Sequence, residues 1–221
     1  MLDTTDRTTP TTAAVISVLT NQSWMGKRFA IDDAGQLQKQ VNGLFTRGRV
    51  SVHDARCAND LLDLTEALKP ENALCLGVPS CGKRDMIVVT RGSKTRLTTP
   101  SKICITRTKD DFGFPDGEGW LLLDHDTKDL PVSVKSKMAD LGGIFAALTT
   151  IWPDLADADF LVRPSSSAGV CVAGETPVDA TGFHMFVRLK SASDIPSALR
   201  ALHARCWQHG LGYHLISKSG Q

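Results

Sequence analysis

Residues 120–126 (WLLLDHD) form an apolar run that ends in Asp124, His125 and Asp126. In a strand, side chains alternate with period two, so Asp124 and Asp126 share one face and His125 takes the other. Two carboxylates held side by side raise each other's pKa unless a cation sits between them. Hard oxygen donors suit Mg²⁺ or Mn²⁺, held jointly with substrate phosphates rather than caged by protein alone. The competing reading is a strand end whose acids are merely solvated.

A second group of residues supplies what such a cation would work with. Residues 182–189 (GFHMFVRL) read as a central strand, with Phe183, Met185 and Val187 on one face and His184, Phe186 and Arg188 on the other. Ahead of it runs the turn RPSSSAG, residues 163–169, where Ser165, Ser166 and Ser167 offer hydroxyls and backbone N–H groups to phosphate oxygens. A strand histidine is otherwise an ordinary half-buried residue. Taken together, the acidic pair, the serine turn and the imidazole make a nucleoside-triphosphate site.

In this order, the motifs resemble those of the archaeo-eukaryotic primase superfamily, in its primase-polymerase branch common on plasmids, phages and integrated elements. That family's first motif is an apolar strand ending in D-x-D, matched by Leu-Leu-Leu-Asp124-His-Asp126. Its second is a small-residue segment leading to a histidine, matched by residues 165–169 and by Gly182-Phe-His184-Met-Phe, with an inserted loop between them. The likeness covers roughly residues 49–221.

The resemblance implies an N-terminal α/β unit, about residues 21–110, packed beside an RRM-like catalytic unit, about residues 111–221, while the polar, Thr-rich start of the chain reads as a flexible segment, 1–20. It also implies metal binding by Asp124 and Asp126 and phosphate contact by His184 with Ser165, Ser166 and Ser167. The activity would be nucleotidyl transfer from NTP or dNTP on a single-stranded DNA template, in replication of a mobile element alongside a helicase or replication protein. The family's third motif, another apolar strand ending in Asp, has no counterpart before Gln221, and Glu175 and Asp179 of the inserted loop are poor substitutes. The expectation is therefore the front part of a longer enzyme, or a shortened, inactive relative acting as a nucleic-acid-binding or protein-binding (inhibitor) module. A metal-dependent nuclease also fits D-H-D with a distant histidine, but no further acid–base cluster accompanies it.

The elements that must position these residues read as mixed α/β. Before the acidic strand, the pattern predicts a weak helix or strand at 13–19, strands at 49–54 and 73–78, and a helix at 59–69 capped by Asn59 or Asp60 and stopped by Pro70. After it come one helix at 136–152 with Met138, Leu141, Phe145, Leu148 and Trp152 as its stripe, a strand at 160–163, and a helix at 194–209 capped by Asp194 and ended by Gly210. Residues 81–109 hold the one basic concentration, Arg91, Lys94 and Arg96 at its centre. It sits between β-like runs at 86–89 and 103–106 and reads as a solvated hairpin face or as contact with a nucleic-acid backbone.

The bulk of the chain is neutral on these questions. With 221 residues, 42% hydrophobic, it can fold, and its 25 basic and 24 acidic residues advertise no polyanion by net charge. No apolar run approaches the roughly 20 residues of a membrane span. Six scattered cysteines without close pairing read as buried free thiols in a reducing cytoplasm, with no structural zinc. The four tryptophans read as packing residues rather than a base-stacking platform, and His203, His209 and His214 as surface or helix-end residues.

Overall fold

The structure is a computed structural model, describing residues 13–35, 37–90, 104–126, 130–166, 168, 170–171 and 182–214. Its first regular element is Val15–Asn21 (β1), rich in the branched and aliphatic side chains that suit a pleated surface. It pairs antiparallel with Arg47–Asp54 (β4) on one side and Asn72–Cys75 (β5) on the other. Asp85–Val89 (β7) adds antiparallel to β4, and Cys104–Thr106 (β8) adds parallel to β7, completing a mixed sheet of order β5-β1-β4-β7-β8. Residues 15–20 are therefore not the flexible start expected of them. Ile16 and Ser17 are fully buried because neighbours flank β1 on both sides. Residues 1–12 lie outside the described residues.

The parallel pairing of β7 with β8 overturns the hairpin reading of the basic stretch, since parallel neighbours cannot be joined by a tight turn. On one face of this sheet Leu19, Val50, Met86 and Val88 pack with Ile105 from β8 and with Phe45 and Phe112. The helix after β4 is Ala58–Glu66 (α1), shorter at its end than the pattern predicts. Its N-cap position is Cys57 rather than Asn59 or Asp60; Asp60 instead accepts a hydrogen bond from the Arg56 N–H at 2.8 Å, one turn back. The strand expected at 73–78 is split, with Val78–Pro79 (β6) pairing with Phe112–Gly113 (β9) rather than continuing β5.

Two further strands, Gly26–Ile31 (β2) and Leu37–Asn42 (β3), pair only with each other.

The second sheet carries the acidic strand. Gly119–His125 (β10) and Phe160–Pro164 (β11) both pair antiparallel with Phe183–Leu189 (β12), giving the order β10-β12-β11. Helices connect β10 to β11 and follow β12, the connectivity of a split β-α-β unit. The single helix expected at 136–152 is two, Val132–Asp140 (α2) and Ile144–Ile151 (α3). Gly142 and Gly143 separate them at φ 88° and 100°, backbone that a helix cannot contain. Phe145, predicted in the buried stripe, is 44% exposed as a result of the break. The last helix is Ile195–Gln208 (α4); Asp194 makes no side-chain cap, and Gly210 at φ 70° ends the helix as its sequence suggests.

Alternation along this sheet builds two cores. Leu121, Met185 and Val187 face α3 and α4, burying against Leu148, Ile151, Leu155 and Ile195. Trp120 and Phe186 face the other way and meet Ala14, Ile16, Ala55 and Leu61, so one cluster joins the two sheets and α1. Trp120 is 1% exposed and its Nε1–H donates to the Ala55 carbonyl at 2.9 Å. A buried Trp of this kind costs about 3–5 kcal/mol to truncate. The fold is α+β, two main sheets with helices and two small two-stranded ones, the main sheets joined at the cluster around Trp120.

Candidate functional site

Register decides what stands at the tip of the second sheet. Asp124 of β10 is directly opposite His184 of β12, which is directly opposite Arg163 of β11. Period-two alternation puts all three side chains on the face that carries Trp120 and Phe186 further down. Asp124 Oδ1 lies 3.4 Å from His184 Nε2, with the two side chains 66% and 38% exposed. At that exposure the pair is worth well under about 1 kcal/mol and is open to a ligand. Arg163 is tied from its guanidinium to the Thr65 hydroxyl of α1, which aims it along the same face.

The serine turn arrives at the same tip. Pro164, the last residue of β11, is opposite Phe183, and Phe183 is opposite His125. The next residue, Ser165, donates its N–H to the Gly182 carbonyl at 2.9 Å, and its own carbonyl accepts from the Ala168 N–H at 2.9 Å. A Cβ on Gly182 would meet Ser165 Oγ at 3.0 Å and the His125 carbonyl oxygen at 3.3 Å, so glycine permits this close approach. Ser166 is exposed in the turn. Ser167, Arg91, Lys94, Arg96, Glu175 and Asp179 lie outside the described residues.

On the opposite face of β10, His125 stacks against Phe183 at 4.9 Å between ring centroids. Burial pushes its imidazole below the ordinary histidine value of 6.5, against the opposing pull of the Asp126 and Asp124 carboxylates. Asp124, His125 and Asp126 border a cavity of about 190 Å³ floored by Val134, Leu148 and Ile151; His184 is not part of its lining. Strand β10 ends at His125, so Asp126 stands just beyond the regular alternation that would lock it beside Asp124.

Among the described residues, no group of three or more His, Cys, Asp or Glu side chains is placed to hold a metal ion. The Asp124 and Asp126 carboxylates are hard oxygen donors of the kind Mg²⁺ takes, and two of them alone would leave most of its shell to other ligands. The six cysteines are free, but Cys81 is exposed and the others half-buried, a looser placement than the fully buried one expected. Burial raises the thiol pKa of Cys75 and Cys206, which keeps both protonated and unreactive.

The structure thus brings Asp124, His184 and Ser165 to one tip, with Asp126 at its rim. Sequence reasoning missed Arg163 and His125 as members of the site. The signal for Arg163 was present, since it is the strand residue just before a Pro-Ser turn, but its alignment with His184 depends on register across two strands. No family model matches the chain, and no curated protein or solved structure matches it. Among the described residues, no helix is long and apolar enough to cross a membrane.

Proposed function

We propose that the chain is a metal-dependent nucleotidyltransferase of the primase-polymerase type, using NTP or dNTP on a single-stranded DNA template. Its setting would be the cytoplasmic replication of a mobile element, with a helicase or replication protein as partner. The observation that carries the reading is the Asp124–His184 register, an acid and an imidazole 3.4 Å apart at a strand tip with the serine turn beside them. A split β-α-β unit with helices after its first and third strands, as in RRM-like folds, supports it.

In this reading Asp124 and Asp126 would hold Mg²⁺ or Mn²⁺ together with the nucleotide's phosphate oxygens. When bound, the ions would supply charge neutralisation and activation of the attacking 3′-hydroxyl. The chain's own residues position the nucleotide. His184 would exchange its contact with Asp124 for a phosphate oxygen, Arg163 would add fixed positive charge from the neighbouring strand, and the serine turn, with Ser166 exposed in it, would contact the terminal phosphates.

A second reading rests on the donor count. Because no third acid joins Asp124 and Asp126 among the described residues, the same fold can serve as a non-catalytic module that holds nucleic acid or a protein partner. Primer extension on a single-stranded template with Mn²⁺ or Mg²⁺ separates the two. Incorporation abolished by either Asp124→Asn or Asp126→Asn supports the enzyme. Incorporation unchanged in both variants refutes it, and a wild-type chain that binds template without incorporating nucleotide establishes the module.

A further inference from the structure

Strands β2 and β3 form a hairpin that belongs to neither large sheet. Its pairing runs from Gly26↔Asn42 to Ile31↔Leu37. The turn is closed by Asp32, whose carboxylate accepts from the Ala34 N–H at 3.0 Å and the Gln38 side-chain amide at 2.6 Å. None of the hairpin's described side chains is buried. A two-stranded hairpin without a packing partner is marginal in water, so the fold leaves this surface for something else.

The surface has a definite chemistry. Between Trp24 and Arg49 the sequence holds five basic and two acidic residues. Arg49 is paired with Asp85 at 2.6 Å, while Lys27, Arg28, Lys39 and Arg47 take part in no ion pair among the described residues. Both acids sit at the turn. Alternation puts Lys27 and Lys39 on one face with Val41 and Leu37, which are 62% and 46% exposed. At the hairpin's base Trp24 is 59% exposed, and the Arg107 guanidinium lies 5.6 Å over the Phe45 ring.

We propose that this hairpin is an arm that holds single-stranded nucleic acid, with Lys27, Lys39 and Arg47 on phosphates and Trp24 stacked on a base. Unpaired cations interleaved with exposed apolar and aromatic side chains match a strand whose bases are unstacked. A duplex offers phosphates but no free base faces, which leaves Trp24 and Val41 without a use. A second copy of the same arm is disfavoured by repulsion between two positive hairpins. The assignment is independent of the carboxylate site.

The test is fluorescence anisotropy with a labelled oligothymidylate of about 20 nucleotides, in EDTA and without nucleotide, so that no outcome depends on metal or catalysis. The triple variant Lys27→Ala, Lys39→Ala, Arg47→Ala should lower the slope of log affinity against log salt by about 2, at roughly 0.7 for each phosphate no longer neutralised. Trp24→Ala should weaken binding about five- to a hundredfold, and Trp24→Phe should recover most of it. These side chains are exposed, so thermal melting should be unchanged in every variant. An unchanged salt slope in the triple variant overturns the proposal, as does wild-type chain that sediments with anionic vesicles, or self-associates, while ignoring the oligonucleotide.

Discussion

Replacing Arg188 by methionine should destabilise the protein by about 2–3 kcal/mol. Arg188 is on β12 opposite Trp120, and its guanidinium reaches Glu118 at 2.8 Å and Asp159 at 3.1 Å. Asp159 also accepts the Ala58 N–H at 3.1 Å, so this one network ties the second sheet to the start of α1. Breaking a fully buried pair costs about 3–5 kcal/mol and an exposed one less than about 1. Here Glu118 is 14% and Asp159 28% exposed, with Arg188 at 32%, which sets the expected loss between the exposed and the fully buried ranges. At 2–4 °C per kcal/mol, that is a fall of about 4–12 °C in melting temperature. Urea unfolding followed by tryptophan fluorescence reads it directly. Adding Glu118→Gln and Asp159→Asn to Arg188→Met should recover more than half of the loss, because the stranded charges are then gone. A single variant within about 0.5 kcal/mol of wild type would refute the argument, showing that water already screens this network.

Two further outcomes follow from the backbone and from burial. Gly143, at φ 100° and ψ 177°, has open space around a would-be Cβ, so Gly143→Ala should cost about 1–3 kcal/mol through backbone strain alone. Gly26→Ala, equally open but without a positive φ, should stay within about 0.5 kcal/mol, and equal effects in chemical denaturation would contradict the distinction. His125 is held below 6.5 in the fold, so the unfolded chain binds its proton first and stability contributed by the neutral ring is lost as pH falls through 6.5. His125→Asn should therefore flatten part of the stability change between about pH 7.5 and pH 5.5. Asp54 cannot account for that change, since its hydrogen bond with Arg84 holds it below 3.8. A wild-type and variant difference that is constant across the window would remove His125 as its source.

What the sequence determined by itself was local. Alternation in residues 120–126 and 182–189 carries its own instruction, and the faces it assigns to Asp124, His125, His184 and Phe186 are the faces the cores confirm. Gly210 after a helical stripe likewise marks an end that no distant contact can move. Local pattern failed where two answers were locally acceptable: residues 136–152 keep helical spacing straight through Gly142 and Gly143, and only packing on the sheet selects the break. No core-facing period announces the hairpin of β2 and β3, because its apolar residues are sparse and none of those described is buried.

Tertiary structure alone decided the partners. Nothing in the order of residues says that Asp124 lies opposite His184 and that His184 lies opposite Arg163. Strand register is set by which hydrophobic faces must be buried together across 60 residues of chain, here by Trp120 and Phe186 against Ile16 and Leu61. A slip of one residue would turn His184 toward the helices and Phe183 toward the first sheet. The sequence supplies the chemical groups, and the joint burial of distant apolar faces chooses which of them meet.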